Sequence, residues 1–323
     1  MNQVACIKVC RPLISPYFSG MWCRSVLLLT VLLFISLPRA AAQQDSLSIK
    51  IDSSKMPEHR EIYAKPRAFS FITNLPKDVW GVTKSPFTKN GWQGLLAVAA
   101  SSAILIHFDQ QLLDGAMSLG RDIHWNPQND YKVVLSIKKS GGDIKLFKVP
   151  QNINSAFYNL GEGWIGVAIG GGFWLQGKID HNNRSLQTAS DLMEGFLSTA
   201  VLTQVVKRIT GRESPFERTV PGGRWRPLPS FKEFANNTSS YDAFPSGHLA
   251  TMMTTVTILA DNYPDSKWIK PIGYTLMGLT SFAMMNTEVH WAGDYPLALA
   301  LGYLNGRIIT ARHKKPVHHL PDL

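Results

Sequence analysis

Two histidines, an aspartate and a lysine in the second half of the chain are the side chains best suited to carrying out chemistry. They lie in three short stretches rich in turn-forming residues: Lys207–Pro215, Tyr241–His248 (YDAFPSGH) and Glu288–Asp294 (EVHWAGD). Each stretch is predicted to lie where a helix begins or ends. Backbone N–H groups at the start of a helix attract anions, so a negatively charged ligand is the expected occupant of such a site.

The last stretch holds a histidine and an aspartate four residues apart, His290 and Asp294. If this stretch is helical, both side chains lie on one face. The carboxylate can then keep one imidazole nitrogen protonated while the other is free to attack. A purely structural His–Asp pair is the alternative. The 42 residues that separate the two histidines give no metal-ligand spacing, and we predict no metal and no cofactor.

In YDAFPSGH, Ser246 is placed to cap the helix that follows, and Gly247 lets a ligand approach the backbone closely. His248 adds a proton donor of the type that titrates near neutrality. A plain helix cap would explain Ser246 without any role for His248. In the first stretch, the cations just ahead of Gly211 likewise match an ordinary helix C-terminus.

The order of the three stretches adds information that none of them has alone. A lysine and a proline nine residues apart inclusive, then PSGH, then a histidine and an aspartate four apart resemble the type-2 phosphatidic-acid phosphatase superfamily. That superfamily also contains the vanadium haloperoxidases and the bacterial acid phosphatases, and its pattern is KxxxxxxRP, PSGH and SRxxxxxHxxxD. The resemblance covers roughly Gly91 to Arg312.

The resemblance implies a role for each matching residue. His290 would be the nucleophile that becomes phosphohistidine, Asp294 would orient it, and His248 would protonate the leaving group. The residues implied in phosphate binding are Lys207, Ser246 and Gly247. Members of the family normally need no metal.

Two arginines of the family pattern are missing. Ser214 stands before the proline of the first motif, and Met284 stands where the third motif has its arginine. A guanidinium offers bidentate, charge-assisted hydrogen bonds to phosphate that neither residue supplies. Three nearby arginines are candidates to compensate, Arg208, Arg212 and Arg226, and a solvated basic loop is the alternative interpretation.

Six apolar segments of helical composition must position these stretches. They are Gly94–His107, Trp164–Leu175, Leu186–Ile209, His248–Leu259, Ile269–Met285 and Pro296–Ile309. Only Tyr131–Ile137 alternates as a strand does, so we predict an all-α fold, a helical bundle of about six core helices that is membrane-associated or periplasmic. We assign the bundle domain to 91–312, after an extended lead-in over 43–90 and before a polar tail over 313–323.

Residues 1–42 are typical of a signal peptide, with Arg24 ahead of the aliphatic run Val26–Leu37. A retained anchoring helix is the alternative, although the run is shorter than the roughly 20 residues that span a bilayer. All three cysteines lie in this leader, so we expect no disulfide after it. The formal charge of +10 includes four leader cations, and the remaining +6 suits an anionic substrate or a membrane surface better than nucleic acid.

Three functions are compatible with this sequence. The first is an exported, cell-envelope phosphatase of the acid-phosphatase type, which acts on a lipid phosphate, a lipid diphosphate or another phosphomonoester through a phosphohistidine. The second is a catalytically weak or inactive member that binds an anionic headgroup, as the two missing arginines suggest. The third, a haloperoxidase, would need tight vanadate binding, for which the cationic ligands are few.

Overall fold

The computed structural model describes residues 63–137 and 144–313, and of residues 144–147 it describes the backbone. The predicted signal peptide, the first part of the lead-in and the tail after His313 lie outside the described residues.

Ten α-helices form most of the described part of the chain. They are α1 (Ser70–Thr73), α2 (Leu75–Lys84), α3 (Trp92–Asp122), α4 (Ile153–Leu160), α5 (Gly163–Ile179), α6 (Asn183–Thr210), α7 (Phe231–Asn236), α8 (Gly247–Asn262), α9 (Ile269–Asn286) and α10 (Tyr295–His313). Two strands, β1 (Tyr131–Ile137) and β2 (Ile144–Pro150), pair as an antiparallel ribbon between α3 and α4. The prediction of an all-α bundle is confirmed, since each of the six apolar segments lies in one long helix.

The predicted extended lead-in is wrong for its described part from residue 70 onward. Helices α1 and α2 and a 3-10 turn at Ser85–Phe87 occupy most of this segment. Its prolines are compatible with helix because Pro76 and Pro86 each lie in a first turn, where the missing N–H has no helical partner to lose. Helix α2 buries Val82 and packs against α6 and α10, so it belongs to the bundle.

Helix α8 is the centre of the bundle and packs against α6, α9 and α10. Its side chains Leu249, Ala250 and Ile258 are fully buried. Helix α10 approaches so closely that a Cβ added to Gly302 would lie 2.3 Å from the carbonyl oxygen of Ala250. A residue larger than glycine would therefore separate α8 from α10.

The three sequence stretches meet at the N-terminal end of α8. Helix α6 ends at Gly211, which adopts a left-handed conformation (φ 57°) that favours glycine. The backbone of Arg212 then pairs with the loop before α8, where the Ala243 N–H donates to the Arg212 carbonyl at 3.0 Å. The Ser246 N–H donates to the Asp294 carbonyl at 3.1 Å. These bonds tie the end of α6, the start of α8 and the loop before α10 together.

By length and composition, α3 is the one helix of the described residues that could cross a membrane, with a mean hydropathy of 1.3 over its best window. A single helix of this kind is a weak indication, because the core helix of a soluble protein satisfies the same criteria.

Candidate active site

The predicted pairing of His290 with Asp294 is present, although its local structure differs from the expected helix. Nδ1 of His290 lies 3.3 Å from Oδ2 of Asp294, and both side chains are buried. Helix α9 ends before this stretch, and Glu288 has a positive φ of 57°, which an α-helix cannot accommodate. Asp294 instead closes a 3-10 turn, where its Oδ2 also accepts a hydrogen bond of 2.8 Å from the Trp291 N–H.

Arg212 binds Asp294 from the side opposite to the histidine. Its Nη1 donates to Oδ1 of Asp294 at 2.7 Å, and its Nη2 donates to Asp109 of α3. Arg212, Asp109 and Asp294 are all fully buried. The structure thus places Arg212 among carboxylates, which differs from the predicted role of a phosphate-binding cation, because spacing along the chain does not show which way a guanidinium faces.

His248 lies at the second residue of α8 and faces the His290 ring, with the two centroids 6.0 Å apart. Tyr158 of α4 covers its other side at 4.6 Å between centroids. Burial, and then the neighbouring His290 and Lys207, lowers the pKa of His248 to about 3. Its Nε2 is buried and has no hydrogen-bond partner among the described residues.

Ser246 and Gly247 form the start of α8 as predicted. The Ser246 hydroxyl accepts from the Leu249 N–H at 3.5 Å, the ordinary capping contact, and lies 3.7 Å from the sulfur of Met284. A Cβ added to Gly247 would lie 3.9 Å from Nζ of Lys207, so the lysine passes over the helix start. Met284, at the third-motif arginine position, therefore borders this site and brings no charge to it.

Lys207 extends from the last turn of α6 and is buried. Its Nζ lies 3.5 Å from Oδ2 of Asp242, whose side chain is 28% exposed. Asp242 belongs to the YDAFPSGH stretch, yet sequence reasoning did not select it. The sequence signal that could have identified Asp242 is a carboxylate two residues before an aromatic residue, in the loop that carries the PSGH motif.

The other two arginines proposed to compensate have contacts elsewhere. The Arg208 guanidinium lies over the rings of Phe231 and Phe234, with the shorter distance 3.9 Å to the Phe234 centroid. Arg226 forms an ion pair of 2.6 Å with Glu213. None of these contacts is to Lys207 or to either histidine, so the structure does not bring these two cations to the predicted site.

Asp109 was missed because it lies 98 residues before Lys207 and outside every motif. A carboxylate two residues beyond the apolar run of α3 is the signal that could have identified it, since a charged group is buried only when it is paired. Tyr158 and Asp242 complete the surroundings of His248 and Lys207.

Residues 189–317 match the family model of the PAP2 superfamily. No curated protein and no solved structure matches the chain. The matched range contains all three motifs and begins after α3, the helix that carries Asp109.

Proposed function

We propose that the protein is a phosphatase of the acid-phosphatase type that hydrolyses a lipid phosphate, a lipid diphosphate or another phosphomonoester through a phosphohistidine at His290. The observation that supports it most is the convergence of the two histidines: His290, paired with Asp294, faces His248 at 6.0 Å between ring centroids. Lys207 lies over the helix start beside them. The match of residues 189–317 to the PAP2 superfamily model supports phosphatase chemistry in general.

The proposed reaction begins with the tautomer of His290. Because Asp294 lies at Nδ1, the proton is assigned to that nitrogen, and the lone pair of Nε2 attacks phosphorus. The bond between phosphorus and the leaving oxygen breaks, and Nε2 of His248 gives its proton to that oxygen. Water then attacks the phosphohistidine, His248 takes a proton from the water, and inorganic phosphate leaves with His290 restored.

His248 must be protonated for the first step, while its pKa of about 3 keeps it neutral at pH 7 when no ligand is bound. A phosphoryl group beside His248 favours the charged imidazole, because an opposite charge within about 4–6 Å stabilises it. Above its pKa, the protonated fraction of His248 in the free protein falls tenfold for each pH unit. We therefore expect kcat/KM to fall as the pH rises from about 6 to about 9.

The alternative is a catalytically weak or inactive member that binds an anionic headgroup. It is favoured by Ser214 and Met284, which replace arginines, and by Lys207, whose charge is partly offset by Asp242. Removing one oxyanion donor costs enzymes about 3 kcal/mol of transition-state stabilisation. Two such losses without replacement would leave little turnover.

We further propose that the protein acts at the cell envelope, membrane-associated or periplasmic. The leader-like sequence of residues 1–42 and the apolar helix α3 support this location. A lipid phosphate or diphosphate would then be available at the same surface.

Phosphate release from phosphatidic acid, undecaprenyl diphosphate and p-nitrophenyl phosphate tests the reaction directly. His290→Asn should reduce release to background, whereas the matched control His181→Asn, in the exposed turn between α5 and α6, should leave it unchanged. Acid-quenched protein given radiolabelled substrate should carry the label on His290.

Background release by the natural protein with all three substrates would refute the enzyme hypothesis. If phosphate still bound in that case, and if Ser214→Arg combined with Met284→Arg produced turnover, the inactive binder would be the correct function. A rate that rose steadily to alkaline pH would contradict the role given to His248.

A further inference from the structure

We propose that Arg212 and Asp109 are positioning residues for His290, which act through Asp294. This inference rests on the proposed function, because it assigns these residues to the same reaction. Neither belongs to the family pattern, and Asp109 lies outside the matched range. Together they fix the carboxylate of Asp294 and leave its negative charge available to the histidine.

The two oxygens of Asp294 have separate partners. Oδ1 accepts from Nη1 of Arg212 at 2.7 Å, whereas Oδ2 faces Nδ1 of His290 at 3.3 Å. The planar guanidinium fixes the direction of the bond to Oδ1, so it also fixes where Oδ2 points. Arg212 and Asp294 are fully buried, and water does not compete for these bonds.

Asp109 holds the same assembly from α3 at two points. Its Oδ2 accepts from Nη2 of Arg212, and its Oδ1 accepts from the Gly293 N–H at 2.8 Å. Gly293 is the residue just before Asp294 in the 3-10 turn. A Cβ added to Gly293 would lie 2.6 Å from a side-chain carbon of Ile106, so α3 approaches this turn as closely as a glycine allows.

The charges of the three buried side chains distinguish this arrangement from a simple ion pair. The Arg212 guanidinium lies between the carboxylates of Asp109 and Asp294, so the three ionised side chains have a net charge of −1. If Arg212 faced Asp294 alone, it would neutralise the carboxylate that supports His290. Asp109 offsets the charge of Arg212, and Asp294 can then stabilise the positive imidazole that forms when His290 attacks phosphorus.

The arginine is held in its plane by further contacts. Its Nη2 also donates to the Gly222 carbonyl at 2.8 Å, and its guanidinium lies 4.8 Å and 5.3 Å from the rings of Trp225 and Trp291. These contacts restrict movement of the guanidinium away from Asp294. A lysine at this position would keep the charge and lose the planar guanidinium whose two Nη atoms bind Asp294 and Asp109.

The decisive experiment compares Asp109→Asn and Arg212→Lys with the natural protein. A misplacement of about 1 Å at a reacting group costs up to about 100-fold in rate, so each change should lower kcat by about 10- to 100-fold. KM should change less than about threefold, because neither residue touches the substrate. Asp114→Asn is the matched control, since Asp114 is exposed on the same helix and should leave kcat unchanged.

A spectroscopic measurement separates positioning from a merely structural role. In protein with ¹⁵N-labelled histidine, the hydrogen bond from His290 should give a downfield Nδ1–H resonance that moves or disappears in both variants. Unchanged kcat and an unchanged resonance in either folded variant would overturn the inference, even if that variant were less stable.

Failure of the proposed function has a different signature. A natural protein that released no phosphate but showed the resonance, with the expected change in the variants, would refute the enzyme and retain the positioning network. Absence of the resonance from the folded natural protein would refute the positioning role whether or not the variants fold.

Discussion

Buried charged side chains form two clusters beside helix α6, one toward each end, and the two clusters differ in their contacts. The site cluster, at its C-terminal end, consists of Lys207, Arg212, Asp109, His290 and Asp294. The distal cluster, in its N-terminal half, consists of Asp78, Asp191, Glu194, Arg312 and His313. Both clusters connect α6 to distant parts of the chain.

In the site cluster, every carboxylate oxygen of Asp109 and Asp294 has an N–H partner. In the distal cluster, Arg312 pairs with Glu194 and with Asp78, whose Oδ2 is buried without a hydrogen-bond partner among the described residues. Burial raises the pKa of Asp191 to about 7, and burial with the neighbouring Asp78 raises the pKa of Glu194 to about 8.

Burial likewise raises the pKa of Asp109 in the site cluster, to about 6, although Arg212 opposes that shift. Both oxygens of Asp191 and of Glu194 also accept hydrogen bonds. The clusters therefore differ in what they include: the site cluster contains His290, which faces His248, and the distal cluster contains one carboxylate oxygen without a donor among the described residues.

Among the cations of the two clusters, Lys207 should have the largest effect on activity. Lys207→Met should lower kcat/KM by about 10²- to 10³-fold, since one donor to a developing oxyanion contributes about 3–4 kcal/mol. Steady-state kinetics measures it, with the exposed Lys178→Met as the control. A loss below threefold would show that Lys207 does not bind the phosphoryl group.

The corresponding change in the distal cluster should affect stability instead. Arg312→Met leaves the buried carboxylates of Asp78 and Glu194 without their cation, and should lower the free energy of unfolding at pH 8 by about 3 kcal/mol. Denaturant unfolding measures this quantity. Arg307→Met on the same helix, whose partner is Asp261 and whose side chain is half exposed, should cost less than about 1 kcal/mol.

If Arg312→Met lowered kcat as strongly as Lys207→Met while remaining folded, the contrast between the two clusters would be incorrect.

A third change displaces a histidine of the site without replacing it. A Cβ added to Gly161 would lie 2.6 Å from Cβ of His248, and the backbone of Gly161 (φ −81°) allows alanine. Gly161→Ala should therefore lower kcat by about 10- to 100-fold through movement of the ring. Gly172→Ala, whose added Cβ meets no atom within 4 Å, should have no effect on kcat. Equal kcat values for both variants would show that His248 takes no part in the reaction.

The smallest effect is expected from the pH dependence of stability. The pKa of Asp191 is raised to about 7 in the folded protein, against about 4 in the unfolded chain. The folded protein thus binds more protons between these values, and the free energy of unfolding falls as the pH rises through this window. Asp191→Asn should reduce the slope by at most about 1.4 kcal/mol per pH unit. Unfolding curves at pH 5 and pH 8 measure it, and an unchanged slope would show that Asp191 stays ionised.

Much of the fold could be predicted from local pattern. The apolar segments have helical composition along their own length, and Pro296–Ile309 or Ile269–Met285 needs no distant residue to be recognised. The residues gathered around His248 could be predicted from the order and spacing of the three motifs, each of which lies at a helix end. Helix α2 is harder to predict because its segment contains Pro76 and is followed by Pro86, and proline is typical of extended chain, whereas here each proline lies in a first turn.

The orientation of charged side chains could not be predicted in the same way. Arg212 is one residue after a helix cap, and its sequence position is equally compatible with a phosphate contact and with a buried pair to Asp294. Asp109 reaches Arg212 from a helix about one hundred residues earlier, and a single sequence contains no measure of that contact. The loop at Glu288 could not be predicted, because it depends on a positive φ, which has no reliable sequence marker outside glycine and asparagine.

The contact between Arg212 and Asp109 also determines how the protein can be divided for expression. A fragment limited to residues 189–317 would contain every motif residue but not α3. Its Arg212 would keep Asp294 and lose the second carboxylate, and Gly293 would lose the acceptor of its N–H. The smallest piece of the chain worth producing for enzymology therefore begins before Trp92, well upstream of the family match.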